Sequence, residues 1–163
     1  MSDWKRVCCA VDFSDPSKLA LNEAAEPTRR AEGDLTILHV HVASPAVAGD
    51  LLQPAPEIFG LEEEELEREL AACRAEAERI LGRPVRTALV AGNAAAEIVR
   101  FARREPLDLL VLATHGRTGL GRLIMGSVAE RVVRNAPCAV LVVRPREQSR
   151  AEDVEEAAMY GAP

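Results

Sequence analysis

Mostly apolar runs of five to seven residues alternate along the chain with stretches of helical periodicity. The runs are Val7 to Val11, Leu35 to Val40, Pro84 to Val90, Leu107 to Ala113 and Cys138 to Val143. Runs of this length, bounded by polar and turn-forming residues, predict buried strands. Ser17 to about Arg30 reads as a helix with Leu19, Leu21 and Ala24 as apolar positions, and Pro27 is expected to kink or shorten it. Glu62 to Leu81 is a longer helix, because Leu66, Leu70, Cys73, Ala77 and Ile80 keep a 3.6-residue period while the acids cover the other side. Asn93 caps a helix running to about Arg104, with Glu97 in its first turns and Pro106 as its stop. Ser127 to Asn135 is a short fourth helix. Ser44 to Gly60 holds Pro45, Pro54 and Pro56 and reads as a long surface loop.

Five strands separated by helices mean βαβ units and a parallel sheet. Because the strand runs are continuous rather than alternating, both faces should be covered by helices. The fold class is therefore α/β, a doubly wound five-stranded sheet. One domain spans residues 1–145, and a polar, acidic tail covers 146–163. Open sheets of this kind bind ligands beyond the carboxyl ends of the strands, where the strand order reverses.

Composition narrows the partners. The 163 residues carry a net charge of −6, which argues against nucleic acid or a membrane surface as a general partner, since both need a basic face. No run approaches the roughly 20 apolar residues of a membrane span, and the polar start Met1 to Arg6 is not read as a signal peptide. Cys8, Cys9, Cys73 and Cys138 form no CxxC pair. They read as buried thiols in a reducing cytosol, so a cytoplasmic location is expected and a zinc site is not. Cys8 and Cys9 are adjacent and should face opposite sides of the sheet.

The stretch after the fourth strand, Ala113-Thr114-His115-Gly116-Arg117-Thr118-Gly119-Leu120-Gly121-Arg122-Leu123-Ile124-Met125-Gly126-Ser127, places four glycines within eleven residues. Glycines let a backbone approach a ligand closely, and a helix start at Gly126-Ser127 adds free N–H groups and the positive end of a dipole. From Ala113 through Ala129 there is no Asp or Glu, but there are Arg117, Arg122 and His115. An anion site requires such a local field. The residues alone leave a phosphate loop and an ordinary loop both open. Ser127 and Glu130 form an S-x-x-E capping box that needs no ligand, and neither a Walker loop nor the dinucleotide G-x-G-x-x-G is present. At the end of strand one, the carboxylate of Asp12 could accept ribose hydroxyls. Helix capping by Ser14, Asp15 or Ser17 is the plainer reading of the same segment.

Ala10-Val11-Asp12-Phe13-Ser14, Leu38-His39-Val40, Gly92 before a helix, Thr114 to Gly119, Gly126-Ser127 and Ala136 to Val143 together resemble the universal stress protein family, in order and over Lys5 to Arg144. Nucleotide-binding members carry G-x2-G-x9-G-[ST]. Here Gly116, nine residues and Gly126-Ser127 match, and Ala113 replaces the first glycine. The resemblance implies strand order 3-2-1-4-5 and a bound ATP. Asp12 would hold the ribose and the Val40 backbone would read the adenine edge. The amides of Gly116, Gly126, Ser127 and Val128 would take the phosphates, with Ala10, Val11 and Ala113 completing the site. Arg117 is added on charge alone. Magnesium would bridge the phosphates. The resemblance also implies a homodimer through the strand Cys138 to Val143, an apolar run that would otherwise be an adhesive edge.

Catalysis has little support, since Asp12 and His115 are the only candidate bases near the glycines and His115 reads as passive. The expected role is a nucleotide-dependent regulatory or binding module in the stress response, with slow ATP hydrolysis at most. ATP would order the glycine-rich loop and the Ser44 to Gly60 segment. Two alternatives stand beside it. One is a dimeric scaffold that binds no nucleotide, which Ala113 favours. The other is a nucleotidyltransferase-like enzyme, whose H-x-G-H pattern His39 and His41 do not supply.

Overall fold

The five apolar runs pair as one all-parallel sheet. A computed structural model describes residues 4–41, 56–114 and 125–145, with side chains from 64 onward in the second stretch. The strands are β1 Arg6–Val11, β2 Asp34–His41, β3 Arg86–Ala91, β4 Leu109–Ala113 and β5 Ala139–Val143, in the order β3-β2-β1-β4-β5. The helices are α1 Asp15–Arg30, α2 Pro56–Leu81, α3 Ala94–Arg104 and α4 Ser127–Asn135.

Strand parity divides the interior into two cores. Val7, Cys9 and Val11 of β1, Leu35 and Ile37 of β2, and Leu109 and Val111 of β4 pack under α1 and α2. Cys8, Leu38, Val40, Leu110 and Leu112 face the other way, under α3 and α4. Cys8 and Cys9 therefore lie in different cores, as a two-residue period requires. Burial pushes both thiols well above their ordinary range. Only the three inner strands are buried on both faces. β3 and β5 alternate, leaving Leu89 and Leu141 exposed. Full coverage, expected from their apolar composition, fails at both strands because each is an edge beyond the reach of a helix on one side.

Pro27 does not shorten α1. It lies in the last turn, three residues before the helix ends at Arg30. The acceptor it fails to satisfy belongs to Glu23, an exposed residue whose carbonyl water can reach. The expected loop Ser44 to Gly60 is likewise corrected in part. From Pro56 onward the chain is α2, with proline at the first helical position, where its missing N–H is no loss. The part before Pro56 lies outside the described residues. At the lower end, β4 begins only at Leu109. The Asp108 carboxylate there is turned to β1, where it accepts the amides of Lys5 and Arg6 at 3.1 and 2.8 Å and the Arg6 guanidinium at 2.7 Å.

The register locates the crevice. β1 and β2 stay paired up to Val11↔His39, and β4 and β5 up to Ala113↔Val143. The β1–β4 pairing stops at Cys9↔Val111 although both strands continue. The sheet thus splits at its upper end between Ala10-Val11 and Leu112-Ala113, at the point where strand order reverses.

Candidate functional site

The split opens into a cavity of about 710 Å³. On the β1 side, the chain turns from strand to helix through Asp12, Phe13 and Ser14. Asp12 Oδ1 accepts the Ser14 amide at 3.1 Å and its hydroxyl at 2.5 Å. Ser14 in turn caps α1, its Oγ accepting the Ser17 amide at 3.4 Å. Ser17 Oγ donates to the Ser14 carbonyl at 2.9 Å and accepts the Asp12 amide at 3.3 Å. This closed ring of bonds holds Asp12 at the cavity wall and needs Phe13 in the left-handed region, φ 64°. A non-glycine residue tolerates that conformation only when its surroundings impose it. Here the Phe13 ring stacks on buried His39, with centroids 4.2 Å apart and planes inclined by 24°. The His39 Nδ1 lies 2.8 Å from the Val11 carbonyl.

On the opposite side, α4 starts at Ser127 after Gly126, and no side chain caps it. Its first internal bond runs from the Glu130 amide to the Gly126 carbonyl at 3.0 Å. The amides of Ser127, Val128 and Ala129 precede that bond, and no described residue accepts from them. The expected capping box is therefore not formed. Ser127 is the first helical residue rather than the cap, and Glu130 pairs with Arg134 at 2.9 Å instead of reaching back. Two bonds fix this helix end to the sheet: Thr114 N–H to the Val143 carbonyl at 2.9 Å, and Gly126 N–H to the Thr114 carbonyl at 2.8 Å. The cavity thus has a carboxylate at one wall and the positive end of a helix dipole at the other.

Of the site residues inferred from sequence, Ala10, Val11, Asp12, Val40, Ala113, Gly126, Ser127 and Val128 all line this one cavity. Gly116 and Arg117 lie outside the described residues, as do His115 and Arg122. Ala113 has the parity of Leu109 and Val111, and its methyl packs against the core under α1 and α2. Helix α4 lies on the other face, so the methyl points away from its first-turn amides. Sequence reasoning assigned no role to Phe13, Lys18 or His39, which also line the cavity. The two-residue period of β2 was the available signal for His39, since it puts that side chain on the buried Ile37 face.

The family model for the universal stress protein family matches residues 3–144. The chain belongs to the universal stress protein family. Universal stress protein MJ0531 of Methanocaldococcus jannaschii is 36% identical over 141 residues, covering 86% of this chain and 82% of that protein. The fold agrees with that of universal stress protein UspA from Lactobacillus plantarum at a TM-score of 0.74, 26% identity, and coverage of 88% of this chain and all of the other. Two further structures share the fold. One is a universal stress protein in complex with cAMP, with TM-score 0.64, 22% identity and coverage of 88% and 98%. The other is the Archaeoglobus fulgidus protein in complex with dAMP, with TM-score 0.63, 19% identity and coverage of 86% and 98%.

Proposed function

We propose that this universal stress protein binds ATP in the cavity between β1 and β4 and works as a nucleotide-dependent regulatory module rather than as an enzyme. One observation carries the reading. Three amides at the start of α4, without a partner among the described residues, face a cavity whose other wall presents the fixed carboxylate of Asp12. Polyphosphate suits the first wall, because backbone N–H groups and the helix dipole both favour negative charge. Ribose hydroxyls suit the second, because a carboxylate already anchored through Oδ1 to Ser14 is preoriented to accept them. Val40 closes the cavity where the adenine edge would lie. Ala113 is compatible with the same reading, since its half-buried methyl packs on the α1–α2 side rather than toward α4.

The donor set also fits magnesium in one specific way. No group of three His, Cys, Asp or Glu among the described residues could hold a metal unaided. Magnesium commonly binds through one carboxylate, several waters and the phosphates of its nucleotide. A cation at this site would therefore arrive with ATP and leave with it. The reading extends to a homodimer through β5, whose edge leaves Leu141 exposed and Cys138 half-buried.

Mass spectrometry of small molecules released from freshly purified protein, followed by calorimetric titration with ATP, tests the proposal. Bound adenine nucleotide, or saturable binding that Asp12→Ala weakens, is the expected result. A protein that is purified empty and ignores ATP with and without magnesium would be a scaffold, and the proposal would fail.

A further inference from the structure

A second concavity of about 340 Å³ lies on the surface between α3 and α4, away from the β1–β4 crevice. Its floor is apolar, from Ala95, Ala96 and Val99, and its rim carries Arg100, Arg103 and Arg131. Arg100 is occupied by Glu97 at 3.0 Å. Arg103 and Arg131 differ from half of the described arginines. Those at 6, 29, 30, 74, 79, 100 and 134 each pair with a carboxylate, whereas no described carboxylate lies within 4 Å of Arg103 or Arg131. The groove is a basic site on a chain of net charge −6.

The complementary sequence is in the same chain. Residues 152–156 read Glu-Asp-Val-Glu-Glu, an apolar residue flanked on each side by two acids. We propose that this acidic segment docks intramolecularly in the α3–α4 groove, Val154 against Val99 and Ala96, its carboxylates on Arg103 and Arg131. The covalent path permits it. The end of β5 is two hydrogen bonds from the start of α4, through Thr114. Helix α4 has nine residues and is therefore about 14 Å long. Its packed neighbour lies about 8–10 Å away. The seven steps from Pro145 to Glu152 span up to about 25 Å when extended, enough to run from the end of β5 to the groove. Docking there would clamp α4, the helix whose first turn faces the main cavity.

The test uses the full chain with a nitroxide on Ala157→Cys in a Cys138→Ser background. Cys8, Cys9 and Cys73 are buried and resist labelling. Paramagnetic broadening is read at the backbone amides. The expected result is selective broadening at Ala96, Val99, Arg103 and Arg131, lost in 1 M salt where the screening length falls to about 3 Å. The pair Arg103→Glu with Arg131→Glu should abolish it, and adding Glu152→Arg with Glu155→Arg should restore it. Broadening that is absent, or indifferent to both charge reversals, overturns the proposal. Broadening that disappears on dilution with excess unlabelled protein overturns it too, and assigns the groove to the tail of a second copy.

Discussion

Ser127→Pro isolates one backbone amide of the proposed phosphate site without disturbing the fold. Residue 127 is the first helical position of α4, where proline is tolerated because its missing N–H has no intrahelical partner. Gly126 before it has φ −54° and ψ 148°, the extended conformation that a residue preceding proline prefers. The substitution should leave the unliganded protein as stable as before, or raise its stability by about 0.4–1 kcal/mol through a stiffer unfolded chain. It removes one N–H that would donate to a phosphate oxygen. A hydrogen bond to a charged group contributes about 1.5–3 kcal/mol, so ATP affinity should fall roughly 10- to 140-fold at about 1.4 kcal/mol per decade. Ser127→Ala controls for the hydroxyl, which Pro also lacks. Calorimetric titration gives the affinities, and a thermal melt without ligand verifies the fold. If S127P binds ATP as tightly as S127A, the α4 amides do not hold the phosphates, whatever else binds in the cavity.

Other consequences follow from packing and charge. Gly92 sits at φ +146°, and a Cβ there would lie 2.9 Å from Glu97 Cγ and Oε1, so Gly92→Ala should cost about 1–3 kcal/mol in urea unfolding. Leu110 is fully buried in β4, and Leu110→Ala should cost about 2–5 kcal/mol in the same assay, with the larger figure if the core under α3 and α4 does not collapse around the void. The Arg6 guanidinium, with the amides of Arg6 and Lys5, holds the Asp108 carboxyl below its usual range. A depressed carboxyl stabilises the fold above its unfolded pKa, and that contribution is lost as pH falls through the folded one. Asp108→Asn should therefore narrow the gap in melting temperature between neutral and acidic pH; an unchanged gap would show that the bond set does not matter to folding.

The inner strands were legible because burial on both faces leaves a plain mark, an apolar run, unbroken over Val7 to Val11 and Leu109 to Ala113 and interrupted in β2 by Thr36 and His39. The edge strands were legible as strands but not as edges. Ala88 to Val90 and Cys138 to Val143 are apolar throughout, and nothing local says that Leu89 and Leu141 end at the surface; only the strand order decides that. Pro27 misled because a proline's cost depends on whether the carbonyl it orphans can reach water, a property of the turn's exposure and not of the residue. His39 was overlooked for the converse reason. An apolar run with a few polar members reads as a strand with exceptions, while the tertiary structure uses one of them, His39, to support Phe13 and, through it, the turn that carries Asp12.

The displacement of Ser127 by one position has the greatest functional weight. As a cap, with Glu130 reaching back, it would have satisfied the start of α4 internally and left little for a ligand to do. As the first helical residue after an uncapped glycine, it leaves the amides of residues 127 to 129 without a described partner. Sequence cannot separate the two arrangements, because S-x-x-E suits either frame and the choice depends on where the backbone leaves β4. That point is set by Thr114, whose N–H is held by Val143 of β5 and whose carbonyl receives the Gly126 N–H. The edge strand therefore fixes the helix frame, and the frame leaves the amides without an internal cap. A substitution that loosened the β4–β5 end, such as Val143→Gly, should weaken ATP binding without touching the cavity lining, while Leu141→Thr, on the same strand but away from that bond, should not. Equal affinities for the two variants would show that the frame of α4 is set elsewhere.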